Sequence, residues 1–262
     1  MKKVLNILQL LIFFVVIFIL SQFLVSMLAK MLHLSGDLGF MLSYLLSMGI
    51  VYVVATLYER VEYQSVRPVM KSHKGFDPMA IFTGVVLLLA ISVALWPLKN
   101  YFPGDQRVYG DGIYTLITIV AISPIMEEII FRGRLYNLLG HTATPFVAAF
   151  LSSLVFATIH MQPIVIIDGF LSGMLFSYMY LLKRSIILPI ILHMCNNLIA
   201  YCLHILSYAG KPLMDYVGSE NYYLPIYITS VVLVLIFVGF MAKRFYKERK
   251  MIMKSLTSIS DN

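Results

Sequence analysis

Apolar runs about as long as a bilayer is thick recur along this chain, and they constrain it more than any other feature. A helix needs about 20 consecutive apolar residues to cross roughly 30 Å of hydrocarbon. Such runs occupy 4–28, 39–57, 79–98, 113–132, 144–160, 162–182, 185–206 and 224–242. Lipid offers the backbone no hydrogen-bonding partner, so each run that spans must close its own bonds as a helix. The expected fold is therefore all-α, a polytopic membrane helical bundle of about eight transmembrane helices. Composition agrees: 60% of the 262 residues are hydrophobic and 13% charged, at a mean hydropathy of +0.86. One water-soluble core could not hide that much apolar surface.

The basic residues give the orientation, because short cytoplasmic loops are enriched in Lys and Arg. With an even number of spans and both termini cytoplasmic, 16 of the 20 Lys and Arg fall inside, among them Lys2, Lys3, Arg60, Arg67, Lys71 and Lys74. Arg132, Arg134, Lys183 and Arg184 join that side, as does the tail from Lys243 to Lys254; Lys30, Lys99, Arg107 and Lys211 fall outside. The formal charge of +7 thus reads as membrane topology and not as a nucleic-acid surface, since the basic residues lie between and after apolar runs. The tail also suits anionic lipid headgroups. Trp96, Tyr101, Tyr222 and Tyr223 stand at run ends, where interfacial aromatics collect, and Pro103, Gly104 and Gly110 supply turn residues. The run after Lys2 and Lys3 is too long for a signal peptide and no small-residue cleavage site follows, so it reads as a retained first helix. Cys195 and Cys202 share one helix face and imply no disulfide framework. The expected divisions are 1–112, N-terminal helices; 113–207, a core carrying the polar motifs; and 208–262, a last helix with a basic cytoplasmic tail. The expected location is the cell membrane, multi-pass.

Ionisable groups inside spans cost roughly 2.5–3.5 kcal/mol each on insertion scales and mark function or a tightly paired structural site. Three clusters occur on three late runs: Glu127-Glu128 followed by Arg132, Phe156 followed four residues on by His160, and His193 followed four on by Asn197. Helix geometry separates the two glutamates. Glu128 and Arg132 form an i, i+4 acid-then-base pair. Glu127 lies about 100° further round and addresses neighbouring helices, where a carboxylate near a histidine serves as general base toward water. His160 is the second candidate to hold that water, and His193 with Asn197 are candidate donors to an oxyanion. Taken singly, each cluster also reads as interfacial charge or a packing hydrogen bond. Asp168 reads as structural, beside a Gly169/Gly173 spacing that favours close helix approach.

In that order and on successive late spans, Glu127-Glu128-x-x-x-Arg132, Phe156-x-x-x-His160 and His193-x-x-x-Asn197 resemble the three motifs of the CPBP intramembrane proteases. That family includes the CAAX prenyl proteases and the bacterial Abi proteins associated with bacteriocin processing or self-immunity. The resemblance covers roughly residues 113–205. It implies that Glu127 and His160 activate water, that His193 and Asn197 stabilise the oxyanion, and that Glu128 with Arg132 support the site. The first three spans carry no matching pattern, so the resemblance implies nothing about substrate choice.

Two chemistries use the same residues. Glu127, His160 and His193 supply a two-histidine, one-carboxylate set for a catalytic Zn2+, or a glutamate and a histidine activate water without metal. Cys195 makes a poor nucleophile, because it sits about 200° round the helix from His193. The leading expectation is an intramembrane endopeptidase acting on membrane-associated peptides or proteins. Two alternatives belong to other classes: a non-catalytic membrane adaptor or bacteriocin-immunity protein, and a transporter built on a proton relay. Against the transporter, the two halves hold no matching pair of broken helices.

Overall fold

The computed structural model describes residues 2–70, 77–102, 112–206, 215 and 217–260. Lys71, Lys74, Arg107 and Lys211, and the turn residues Pro103, Gly104 and Gly110, lie outside them. The described residues form helices joined by turns, with no strand among them. In chain order these are α1 (Lys2–Met31), α2 (Gly36–Tyr63), α3 (Pro78–Ala94), α4 (Trp96–Tyr101), α5 (Ile113–Leu139), α6 (Pro145–Thr158), α7 (Pro163–Lys183), α8 (Ile187–Ile205) and α9 (Glu220–Ser260). Helices α1, α2, α5, α7, α8 and α9 are long and apolar enough to span a bilayer. Helices α3 and α6, at the third and fifth predicted runs, are apolar but shorter. The chain is an all-α, multi-pass membrane bundle.

Sequence sets these helices at their ends. Pro78, Pro145 and Pro163 open α3, α6 and α7 at the first turn, where a missing N–H costs nothing. Asp77 caps α3 by accepting from Ala80 N at 3.0 Å and also pairs with Lys183 at the far end of α7. The Lys183 hydrogen bond, helped by the Ala80 amide, holds the Asp77 carboxyl below the ordinary carboxylate range. Helix α7 is the most enclosed, whereas α1 and α9 turn apolar side chains such as Leu5, Ile12, Phe23, Leu235 and Phe240 outward, as lipid-facing helices do. α6 and α7 pack along each other, and Phe131, Phe156, Tyr180 and Leu138 form the centre of the main core.

Two sequence expectations change. Arg132 and Arg134 count as inner-loop charges by position, yet both are buried. Arg134 meets Glu59 Oε2 at 3.1 Å, and the other oxygen of Glu59 takes the Arg67 amide at 3.0 Å and faces His141 Nε2 at 3.1 Å. A buried charge needs such partners, so these arginines are bound inside the bundle. The basic tail, read as an appendage after 242, continues helix α9. There Glu248 is buried and pairs with Arg184 and Arg244, each at 2.6 Å. Between α6 and α7, Met161 has a left-handed φ of 61° and is 85% exposed.

Candidate active site

Helix α5 is not uniform. Two π-helical stretches, Thr118–Ile122 and Ile129–Leu135, flank the α-helical turn Ser123–Glu128 that carries both glutamates. Wide turns of this kind concentrate at functional sites. Proline explains part of the first one. Ser123 N bonds to Thr118 O in the i→i−5 pattern, which takes from the Ile119 carbonyl the donor an α-helix would supply. The next residue is Pro124, which has no N–H, so Ile119 O is left without a main-chain partner from its own helix. Asn197 on α8 fills that vacancy, its Nδ2 donating to Ile119 O at 2.9 Å. Near the second π stretch, Ser152 donates to Phe131 O at 2.7 Å.

The glutamates diverge as the 100° rotation requires. Glu128, fully buried, holds Arg132 Nη1 at 2.8 Å. Arg132 is fully buried as well, donates from Nη2 to Gly173 O at 3.0 Å, and lies 4.6 Å and 5.4 Å from the ring centres of Phe156 and Phe176. Among the described residues Glu128 Oε2 and Arg132 Nε find no hydrogen-bond partner. Glu127 Oε1 accepts from Tyr44 Oη on α2 at 2.7 Å and from Ser123 Oγ one turn earlier; the two hydroxyls are 2.9 Å apart. Its other oxygen, Oε2, faces His193 Nε2 at 3.7 Å.

His193 joins the two carboxylates. Its Nδ1 lies 3.0 Å from Glu128 Oε1, so that nitrogen carries the proton and donates. The ring is stacked on Phe176 at 5.0 Å and meets Phe156 edge-on at 5.6 Å. The order Arg132, Glu128, His193, Glu127 is therefore one chain of charged and polar contacts, in which Glu128 serves both Arg132 and His193. Sequence spacing alone did not reveal that sharing.

His160 stands apart from that chain. Its Nδ1 donates to Phe156 O at 3.0 Å, and its ring meets the edge of Phe156 at 5.2 Å. Phe156 thus lies against both histidines. Among the described residues no three His, Cys, Asp or Glu side chains gather to hold a metal. His193 gives Nδ1 to Glu128 and His160 gives Nδ1 to the Phe156 carbonyl, so Nε2 of each ring and Glu127 Oε2 are the atoms that would hold a metal. Tyr44 and Ser123 were missed by sequence reading. Ser123 sits one helical turn before Glu127, and that spacing was the signal; Tyr44, 83 residues away, left none. A cavity of about 380 Å³ between α1 and α2 is lined by Gln22, Ser26, Lys30, Ser43 and Tyr44 among others, so Tyr44 joins its wall to Glu127.

Fold and site together define a multi-pass membrane protein with a buried carboxylate–histidine centre. Residues 110–199 match the type II CAAX prenyl endopeptidase Rce1-like family, which embraces all three motifs. The chain is 30% identical over 120 residues to an uncharacterised 24.3 kDa protein of Escherichia coli, covering 44% of this chain and 55% of that protein. It is 27% identical over 207 residues to the membrane-embedded CAAX protease MroQ of Staphylococcus aureus, covering 70% of this chain and 84% of the relative. No solved structure matches the chain. The matched segment carries all three motifs and is similar to the CPBP membrane proteases, and the chain spans about half the length of the first of these relatives.

Proposed function

We propose that this protein is an intramembrane endopeptidase that hydrolyses peptide bonds of membrane-associated peptides or proteins with water activated by Glu127. The observation that carries the proposal is the approach of Glu127 Oε2 to His193 Nε2 at 3.7 Å, with every other polar atom of the pair already engaged. Two hydrogen bonds of about 2.8 Å close a triangle on that base, so one water fits against both atoms from the side. Glu127 accepts a proton as the water oxygen attacks the scissile carbonyl carbon. With Nδ1–H held by Glu128, His193 turns Nε2 to the same space, where a proton on that nitrogen would donate to the oxygen that becomes negative. Asn197 has a second amide N–H for the same purpose, the first being bound to Ile119 O. The C–N bond then breaks, and the proton on Glu127 passes to the departing amine. His160, with Nδ1–H on a carbonyl, carries its lone pair on Nε2 when neutral, which suits the second base that the family resemblance implies.

The family description points to substrates ending in a prenylated Cys-aliphatic-aliphatic-X sequence. The test is cleavage of a fluorescence-quenched peptide of that form, farnesylated and unmodified, by the purified chain in detergent micelles. Cleavage that disappears in Glu127→Gln supports the proposal. Wild-type turnover by Glu127→Gln would overturn it and bring the adaptor reading forward.

A further inference from the structure

A general base works only if its carboxylate is held in one orientation, and a glutamate side chain left free loses about 1–2 kcal/mol of rotamer entropy when it is fixed. In this chain part of that fixing comes from outside the segment shared with the family. Tyr44 lies on α2, far from residues 110–199, yet its hydroxyl is 2.7 Å from Glu127 Oε1. Ser123 approaches the same oxygen from α5. Among the described residues both hydroxyl contacts fall on Oε1, and Oε2 is turned to His193. Tyr44, Ser123 and Oε1 make a triangle of three oxygens sharing two hydroxyl protons. If both protons go to the carboxylate, Oε1 is doubly anchored. If one hydroxyl instead relays through the other, the anchor is a chain. Either arrangement fixes which oxygen faces the histidine.

We propose that Tyr44 is a positioning residue for this centre, anchoring Glu127 Oε1 from α2 with Ser123 so that Oε2 is presented to water beside His193. The inference rests on Glu127 acting as the base. Tyr44 also lines the α1–α2 cavity, so its phenol links that cavity wall to the reacting carboxylate. A purely structural tyrosine would show its loss in melting temperature; a positioning tyrosine shows it in turnover at unchanged substrate affinity.

The experiment compares wild type, Tyr44→Phe, Ser123→Ala, the double variant and Glu127→Gln, using the purified full chain and the farnesylated quenched peptide. Misplacing a reacting group by about 1 Å costs on the order of 100-fold in rate. Tyr44→Phe leaves one anchor and is expected to lower kcat about 10-fold, and the double variant about 100-fold. KM should stay within about twofold, because the lost contact is not one to substrate. The melting temperature of Tyr44→Phe should remain within about 2 °C of wild type, as the ring and its packing are kept. Wild-type kcat in the double variant, or a loss that appears in KM or in melting temperature alone, would overturn the positioning role while Glu127→Gln remains inactive. Full turnover by Glu127→Gln would instead strike the base itself, and the positioning role with it.

Discussion

Replacing Glu128 by Gln is the most revealing single perturbation, because its neighbour Glu127 provides a control of identical chemistry. Glu128 and Arg132 are both fully buried, and their contact is 2.8 Å. Removing one member of such a pair leaves an uncompensated charge in a medium of low dielectric, a cost of about 3–5 kcal/mol. Arg132 would keep the Gly173 carbonyl and the faces of Phe156 and Phe176, so the lower end, about 3 kcal/mol, is expected. In a chain of this length each kcal/mol moves the melting temperature by about 2–4 °C, giving a fall of about 6–12 °C. Glu127→Gln behaves differently. Its amide oxygen still accepts from Tyr44 and Ser123, so the loss is about 1 kcal/mol, or about 2–4 °C. Its cleavage rate should nevertheless fall by on the order of 100- to 10,000-fold, the range for a lost general base. Melting in detergent and peptide cleavage on the two variants make the comparison. Equal stability of the two, or a Glu128→Gln protein that melts with wild type, would refute the division of labour between the adjacent carboxylates.

Other outcomes follow from the same geometry. Gly173→Ala should destabilise by about 1–3 kcal/mol in a thermal melt, since a Cβ there meets Arg132 Nη2 and Ser153 Cβ at 3.0 Å; Gly169→Ala, whose Cβ finds Ala157 Cα at 3.6 Å, should be milder. Full turnover after exhaustive chelation and metal analysis is expected of the glutamate mechanism, whereas chelator-abolished activity with stoichiometric zinc would select the metal alternative. Single cysteines placed at Lys3 and Asn262 should be labelled only from the cytoplasmic side by an impermeant reagent, and labelling from outside would reverse the topology read from charge.

What the sequence made legible follows from the reach of local geometry. An apolar run long enough to span is a helix whatever packs against it, so a helix stands at each predicted run. The i, i+4 spacing of Glu128 and Arg132 fixes their proximity inside one helix, and they do meet. Contacts between helices depend on rotations and depths that no spacing encodes. Tyr44 on Glu127, Glu59 on Arg134 and His141, and His193 placed between two glutamates all belong to that class. The π turns were illegible for a related reason: their wider register is stabilised partly by side chains from other helices, Asn197 and Ser152. The left-handed backbone at Met161, just after His160, was illegible too, because no glycine announces it.

The missing amide at Pro124 has a genetic consequence. Ile119 O depends on Asn197 because a proline occupies the position from which an i→i+5 amide would come. On the proposed mechanism an Asn197→Leu lesion therefore harms the chain in two separable ways, by removing the proposed oxyanion donor and by stranding the Ile119 carbonyl within the membrane. Pro124→Ala restores a main-chain N–H beside that carbonyl. A selection for intragenic suppressors of Asn197→Leu, scored on accumulation of the protein, should return changes at codon 124, and these revertants should accumulate without regaining wild-type cleavage.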